Sequence, residues 1–194
     1  AYMRADLQDR ASSAWDQAEM LLQVIDSDLE RSEQLNELVA TYMQAECWER
    51  VEALIPSIED RTAYVKTLID LGIAYNEAQF PERARTAWNK VETDIYTIQE
   101  SEARNNALLD LSVGYIHAQE WDHARKLIHS INDQARCTTA LLRLSQEYAH
   151  ASLWESAETI AYTIEASEER AIALNEIAHI MAQRHAYEDL LYVV

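Results

Sequence analysis

Glycine and proline are almost missing from this sequence, with two residues of each among 194. Both are common in the turns that connect short β-strands, and both are unfavourable inside helices. Their scarcity therefore argues against a β-sandwich or a β-barrel. It favours a chain that is helical over nearly its whole length.

Basic residues are also few, because 16 Lys and Arg stand against 34 Asp and Glu, for a formal net charge of −18. Proteins that bind nucleic acids neutralise phosphates with Lys and Arg, and anionic membranes attract the same side chains. We therefore expect neither nucleic acid nor a membrane as a partner. The acidic surface either serves solubility alone or favours a basic protein partner.

The chain has only two cysteines, Cys47 and Cys137, and they lie in different parts of the sequence. A disulfide between them is not expected, and unpaired cysteines are typical of a reducing compartment. The sequence also contains no apolar run of eighteen residues and no signal-peptide core. These absences predict a cytoplasmic protein.

One repeated pattern accounts for most of the chain, and residues 107–131 show it most clearly. Apolar residues recur at i, i+3 and i+7 from Leu108, and again from Trp121. This spacing predicts two amphipathic helices, which we term helix A and helix B. The few residues between them allow only a tight turn, so the two helices are expected to be antiparallel neighbours.

The pattern returns along the chain at a nearly constant interval. A large residue near the end of each helix A marks what we call the aromatic slot, and it recurs at intervals of 33, 40, 33 and 33 residues. The slot holds Tyr42, Tyr75, Tyr115, Tyr148 and Met181. A period in the thirties with two helices per unit predicts an all-α solenoid.

The predicted solenoid is a single domain over residues 1–194. Its hairpins are expected at about 1–27, 33–58, 65–99, 105–131, 138–165 and 171–194. Both ends interrupt the pattern without the polar capping repeats that solenoids usually carry. We therefore expect the chain to be a fragment cut from a longer protein.

Two segments of this pattern resemble the tetratricopeptide repeat (TPR). They are Leu111-Ser112-x-x-Tyr115 in helix A and Trp121-x-x-Ala124-x-x-x-Ile128 in helix B. The resemblance covers essentially the whole chain and implies a right-handed superhelix of about five helix-turn-helix repeats. The chain departs from the family in having almost no glycine and no proline at the end of each repeat. A pentatricopeptide array, the alternative, would have a 35-residue period and a basic groove, and the chain has neither.

A second and weaker resemblance comes from an arginine near the start of each helix A. These residues are Arg31, Arg61, Arg104, Arg136 and Arg170. With the regular Trp and Ala of helix B, they resemble the repeat arrays of bacterial STAND-type signalling ATPases and of repeat-linked proteases. This fold-level resemblance implies a sensor or regulatory domain of a larger protein.

One repeat is longer than the others, since 40 residues separate Tyr75 from Tyr115. Seven extra residues make almost two helical turns. We place them after Val91, as an extension of helix B from about residue 81 to 99. Ile95 and Ile98 would then be under-buried and would form a candidate docking edge for a neighbouring domain or subunit. A tolerated insertion is the alternative.

No motif in the sequence indicates catalysis or metal binding. The five tryptophans fall at packing positions of helix B, with Trp88 in the place of Ile55 and Ile128. The six histidines form no compact ligand motif such as HExxH. There is no glycine-rich phosphate loop and no nucleophile motif. We therefore predict no enzyme activity, no cofactor and no metal.

The concave face is the predicted binding site, because in the TPR family certain helix A positions face the groove. The candidates that the resemblance implies are Ile69, Ile73, Asn76, Leu109, Val113, Ile116, His117, Leu142, Gln146, His150 and His179. An apolar strip flanked by polar side chains is typical of a peptide-binding groove. Burial of the strip within a tightly curved array is the alternative.

The charges near the groove restrict the ligand. Family members that clamp a terminal carboxylate carry Lys, Asn and Arg there, whereas this chain has Asp70 and Asp110, with only Lys66 and Arg143 basic. We therefore expect a neutral or basic protein or peptide, including another domain of the same parent protein. The alternative function is a structural or self-assembly scaffold without a discrete ligand.

Overall fold

The computed structural model describes the backbone of residues 2–191 and, within it, the side chains of residues 10–27 and 30–184. These residues form ten α-helices and no strand, so the predicted all-α class is confirmed. The helices are α1 (Tyr2–Leu22), α2 (Asp28–Gln44), α3 (Trp48–Leu54), α4 (Arg61–Glu77), α5 (Pro81–Asp94), α6 (Ser101–His117), α7 (Trp121–His129), α8 (Gln134–His150), α9 (Trp154–Thr163) and α10 (Ser167–Leu191). A single 3-10 turn follows α3 at Ile55–Ser57 and α5 at Ile95–Thr97.

The helices α2, α4, α6 and α8 correspond to helix A, and each is 17 residues long. Side chains cap the first turn of three of them. Asp60 accepts a hydrogen bond from the amide of Ala63 at 2.7 Å, and Asp133 accepts one from Arg136 at 2.8 Å. Such caps satisfy amides that have no partner within the helix.

The turns between helix A and helix B all have the same geometry, although none contains glycine. Each places one residue in the left-handed region, namely Glu46, Gln79, Gln119 and Ser152, with φ between 55° and 65°. The amide of the next residue reaches back to the carbonyl of the aromatic slot, as Glu120 does to Tyr115 at 2.9 Å. This is the Schellman motif, which ends helix A and reverses the chain.

The helices pack as hairpins, and the hairpins are arranged in chain order. The hairpins are α2 with α3, α4 with α5, α6 with α7, and α8 with α9. The A helices also contact one another in sequence, from α2 to α4, α6, α8 and α10. One hydrophobic core cluster runs from Leu35 to Ile180 through these layers.

A tryptophan of each preceding helix packs on the tyrosine of the next helix A. The ring centroids are 4.6–5.2 Å apart in the pairs Trp15–Tyr42, Trp48–Tyr75, Trp88–Tyr115 and Trp121–Tyr148. In the first three pairs the tyrosine hydroxyl also donates to a glutamate 23 residues earlier, Glu19, Glu52 or Glu92, at 2.5–2.6 Å. Ring packing therefore joins successive units at all four junctions, and one hydrogen bond adds to it at the first three.

Helix α5 is the longer helix B that the 40-residue interval predicted, with 14 residues against seven in α3. Its end differs from the prediction, because the α-helix stops at Asp94 and a 3-10 turn follows instead of a helix to residue 99. Trp88 lies as far after the preceding aromatic slot, Tyr75, as Ile55 lies after Tyr42, as the sequence predicted. It also lies as far before the following slot, Tyr115, as Trp48 lies before Tyr75, and it packs on that tyrosine in the same way. The extra residues therefore precede Trp88 rather than follow Val91.

The prediction that Ile95 and Ile98 are under-buried is wrong, since they are 0% and 2% exposed. The 3-10 turn after α5 packs against α6 and carries both side chains into the core. They occupy the same places as Ile55 and Ile58 after α3, which are also buried. The candidate docking edge is therefore part of the core.

Two predicted hairpins are not formed. Helix α1 is continuous through Ser12 and Ser13, in the middle of the hairpin expected at about 1–27. The Ser12 hydroxyl lies within the helix and accepts a hydrogen bond from the guanidinium group of Arg50 on α3 at 2.9 Å. Helix α10 likewise runs without a break from Ser167 to Leu191, through most of the hairpin expected at about 171–194. A continuous helix keeps the backbone hydrogen bonds that a turn there would break.

Candidate functional site: the groove of α4, α6 and α8

Two adjoining hollows lie along helices α4, α6 and α8, each with a volume of about 270 Å³. Asp70, Ile73, Leu109, Asp110, Val113, Thr139 and Arg143 line the first hollow. Val113, Ile116, His117, Arg143, Gln146 and Glu147 line the second. Val113 and Arg143 border both, so we treat the two hollows as one groove.

The groove brings together six of the residues that the sequence predicted. Ile73, Leu109 and Val113 meet in the first hollow, where all three are half-buried. Their partial exposure comes from the A-helix row, in which each helix covers one face of its neighbour and leaves a strip open. His117 and Gln146 border the second hollow, and the buried Ile116 forms part of its wall.

Two of the predicted groove residues belong to the core instead. Ile69 and Ile116 are each 1% exposed, because their side chains point between stacked helices. The carbonyl of Ile69 also accepts a hydrogen bond from Trp88 Nε1 at 3.3 Å, which ties α4 to α5. For these two residues the alternative of a buried strip is therefore correct.

Four other candidates do not line either hollow: Asn76, Leu142, His150 and His179. Leu142 is half-buried against the core cluster. His150 and His179 are exposed. The structure therefore concentrates the candidate site on the middle three A helices.

Two carboxylates border the first hollow, Asp70 on α4 and Asp110 on α6. Burial beside apolar side chains raises the pKa of both carboxyls above the ordinary value, while the positive charge of Lys66 acts to lower it. Within the described residues, neither carboxylate forms an ion pair or a side-chain hydrogen bond. Both residues are exposed, so their carboxylates are open to a basic group of a partner.

Arg143 on α8 brings the opposite charge to the same groove. It forms no ion pair with the side chains that the structure describes. Asp70, Asp110 and Arg143 all lie five residues before the aromatic slot. The sequence analysis placed these charges near the groove but did not include them among the candidate binding residues. The signal was present, since this position is charged in every repeat: Glu37, Asp70, Asp110, Arg143 and Glu176.

Two of the arginines near the start of helix A have a structural role at the end of the preceding repeat. Arg104 donates to the carbonyl of Ile98 at 3.0 Å, and Arg170 donates to that of Ile164 at 3.3 Å. Both satisfy a carbonyl at the end of the preceding helix B segment. Packing needs alone account for these two arginines.

A metal site and a membrane-spanning helix are both absent from the part of the chain that is described. There, no group of three or more His, Cys, Asp and Glu is placed to hold a metal ion. None of the described helices combines the length and the apolar character that crossing a membrane requires. Comparisons with family models, with curated proteins and with solved structures give no match for this chain.

Proposed function

We propose that this chain is a TPR-like α-solenoid, a right-handed superhelix whose groove binds a segment of another protein. The equal length of the A helices, their contacts in chain order and the repeated Schellman turns support the solenoid. Since no family model matches, the TPR assignment depends on the repeated residues and on this arrangement. The proposal places the protein in the cytoplasm, in line with the free thiols of Cys47 and Cys137, and includes no catalytic activity.

The observation that carries the binding function is the composition of the first hollow. Ile73, Leu109 and Val113 leave apolar surface open beside Asp70 and Asp110, two carboxylates without a bonding partner. Open apolar surface of this kind is stabilised when a partner covers it. The exposed carboxylates beside it favour a basic partner.

A capture experiment with a double variant tests this proposal. The bait is the whole chain, compared with the variant Ile73→Glu/Val113→Glu, and circular dichroism establishes that both are helical. The control is Thr93→Glu/Tyr162→Glu, which adds the same two charges at exposed positions on α5 and α9. We expect the groove variant to lose partners that the wild type and the control retain. Equal retention by all three proteins would contradict the proposal.

A scaffold function is the second candidate, and a specific surface supports it. Met20, Leu21 and Val24 are 69%, 62% and 69% exposed near the end of α1. A hollow of about 530 Å³ also lies in this region, between residues of α1, α2 and α3. If this surface joins copies of the chain, sedimentation should be concentration-dependent, and Leu21→Glu/Val24→Glu should abolish that dependence.

A further inference from the structure

The groove carries an order of charges that can select a particular kind of segment; this inference rests on the proposed function. Asp70 on α4 and Asp110 on α6 are acidic, and Arg143 follows on α8. All three hold the same place in their repeats, so they form one row across three neighbouring helices. Ile73, Leu109 and Val113 lie alongside this row.

The acidic part of the row matches a lysine or arginine side chain. A cation between Asp70 and Asp110 would form an ion pair with each carboxylate, which at present is influenced only from a longer distance by Lys66 and, for Asp110, by Arg143. The aliphatic stem of Lys or Arg would lie on Ile73, Leu109 and Val113, since such stems pack well on apolar surface. An anionic group would instead meet two carboxylates, so a phosphopeptide or a nucleic acid does not fit this part of the groove.

Arg143 gives the other end of the row a different preference. It borders both hollows, and Gln146 and His117 line the second hollow beside it. A carboxylate on the bound segment would form a charge-assisted hydrogen bond with its guanidinium group. Glu147 also lines the second hollow, so this preference belongs to the side of Arg143 that borders the first hollow.

Helix spacing converts this order into a sequence spacing. Packed helices lie about 8–10 Å apart, and an extended chain advances about 3.3 Å per residue. About three residues of an extended segment therefore separate neighbouring A helices. A basic side chain bound midway between α4 and α6 lies about one and a half helix spacings from α8, and the same estimates convert this distance into about four residues.

The hollows are of a size to take the side chains of an extended segment. Each has about 270 Å³, which accommodates individual side chains.

We propose that the groove binds an extended segment of a partner protein that places Lys or Arg between Asp70 and Asp110. The same segment places Asp or Glu on Arg143, three to four residues away, with apolar residues between the two charges. The order of charges across α4, α6 and α8 and the apolar strip beside them carry this proposal.

The test is selection from a phage library of random 12-residue peptides on the whole chain. We expect enriched peptides to contain a basic and an acidic residue three to four positions apart, with apolar residues between them. Synthetic copies should bind Asp70→Asn/Asp110→Asn at least tenfold more weakly than the wild type. The control Glu155→Gln/Glu158→Gln makes the same change in net charge at exposed positions on α9 and should retain binding.

Charge reversal at Arg143 gives a second measurement. Selection on Arg143→Glu should replace the acidic residue of the enriched peptides by a basic one. Enriched peptides without a basic residue, or equal weakening by the Asp and Glu variants, would overturn the inference. So would failure to enrich any peptide.

The outcomes distinguish this inference from the proposed function. If enriched peptides lack the charge pattern but are lost by Ile73→Glu/Val113→Glu, the groove binds segments and only the inferred preference is wrong. If they bind that variant as tightly as the wild type, their site lies outside the groove, which contradicts both proposals.

Discussion

Trp88 is the residue that explains both glycines of the chain. A Cβ atom at Gly72 would overlap the indole ring, coming within 2.5 Å of Cδ1, and one at Gly114 would lie 3.1 Å from Cζ2. Trp88 is 2% exposed and lies between α4 and α6. The sequence contained both glycines and the tryptophan, but their spacing alone did not show that they meet.

This contact predicts different effects for two similar substitutions. Gly72→Ala should lower the free energy of unfolding by about 1–2 kcal/mol, because displacement of the ring outweighs the better helix propensity of alanine. Gly114→Ala should leave it within about 0.5 kcal/mol, since a small shift of the ring suffices and propensity offsets it. Urea denaturation followed by circular dichroism measures both. Equal effects would show that Trp88 does not lie against Gly72.

The groove carboxylates predict a stability that depends on pH. Burial raises the pKa of Asp110 above its ordinary value of 3.8 in the folded state. Ionisation therefore costs more in the folded than in the unfolded protein, and stability is lost as the pH rises through the folded pKa. Asp110→Asn removes this cost, so it should raise the melting temperature at pH 7.

The gain from Asp110→Asn should be within about 1 kcal/mol, because water screens the carboxylate. It should shrink as the pH falls towards 3, where the carboxyl is neutral in both states. Thermal unfolding at several pH values tests this expectation, with Glu158→Gln on α9 as the control. A loss of stability at pH 7 would contradict the account of Asp110.

At the scale of the elements, the length of α5 shows what a repeat period can and cannot predict. The surplus of seven residues indicated a longer helix B, and α5 has seven more residues than α3. Seven residues are close to two full turns, so the insertion preserves the apolar face. For the same reason, the period could not show on which side of Trp88 the extra residues lie.

The junction between α5 and α6 gives a prediction for one hydroxyl group. Tyr115 donates to Glu92 at 2.6 Å, and burial together with this hydrogen bond raises its pKa. Tyr115→Phe should lower the free energy of unfolding by about 1 kcal/mol, since it removes the hydrogen bond and leaves the ring packing. Chemical denaturation provides the measurement.

Tyr148 is the matched control, because its ring also stacks on a tryptophan of the preceding helix B. Arg125 holds the place that Glu92 has in the junction before it, and the Tyr148 hydroxyl has no hydrogen-bond partner among the described residues. Tyr148→Phe should therefore be nearly neutral. If the two variants lose the same stability, the hydrogen bond to Glu92 does not stabilise the junction.

At the scale of the whole molecule, the period and the helical class could be predicted because packing needs recur in each repeat. Leu, Tyr, Trp and Ala at fixed offsets specify hairpins wherever they occur. The groove was less predictable, because the same offset, six residues before the aromatic slot, gave both half-buried Leu109 and buried Ile69. Which apolar residue remains open depends on how neighbouring A helices cover each other, and one helix pattern does not contain that information.

The net charge of −18 is not distributed uniformly along the groove. Asp70 and Asp110 are distinguished from other exposed acidic residues by their place beside the half-buried Ile73, Leu109 and Val113. Arg143 interrupts the acidic row at α8. The groove is therefore an ordered surface rather than a uniformly negative one.

Methyl NMR spectra test the central claim, that the groove of α4, α6 and α8 is the binding surface. Spectra are recorded with a partner recovered by capture and, separately, at increasing concentration of the protein alone. The account predicts that the partner shifts the methyl signals of Ile73, Leu109 and Val113, while those of Leu21 and Val24 stay in place. Shifts at Leu21 and Val24, with unchanged groove signals, would contradict it and favour the scaffold function.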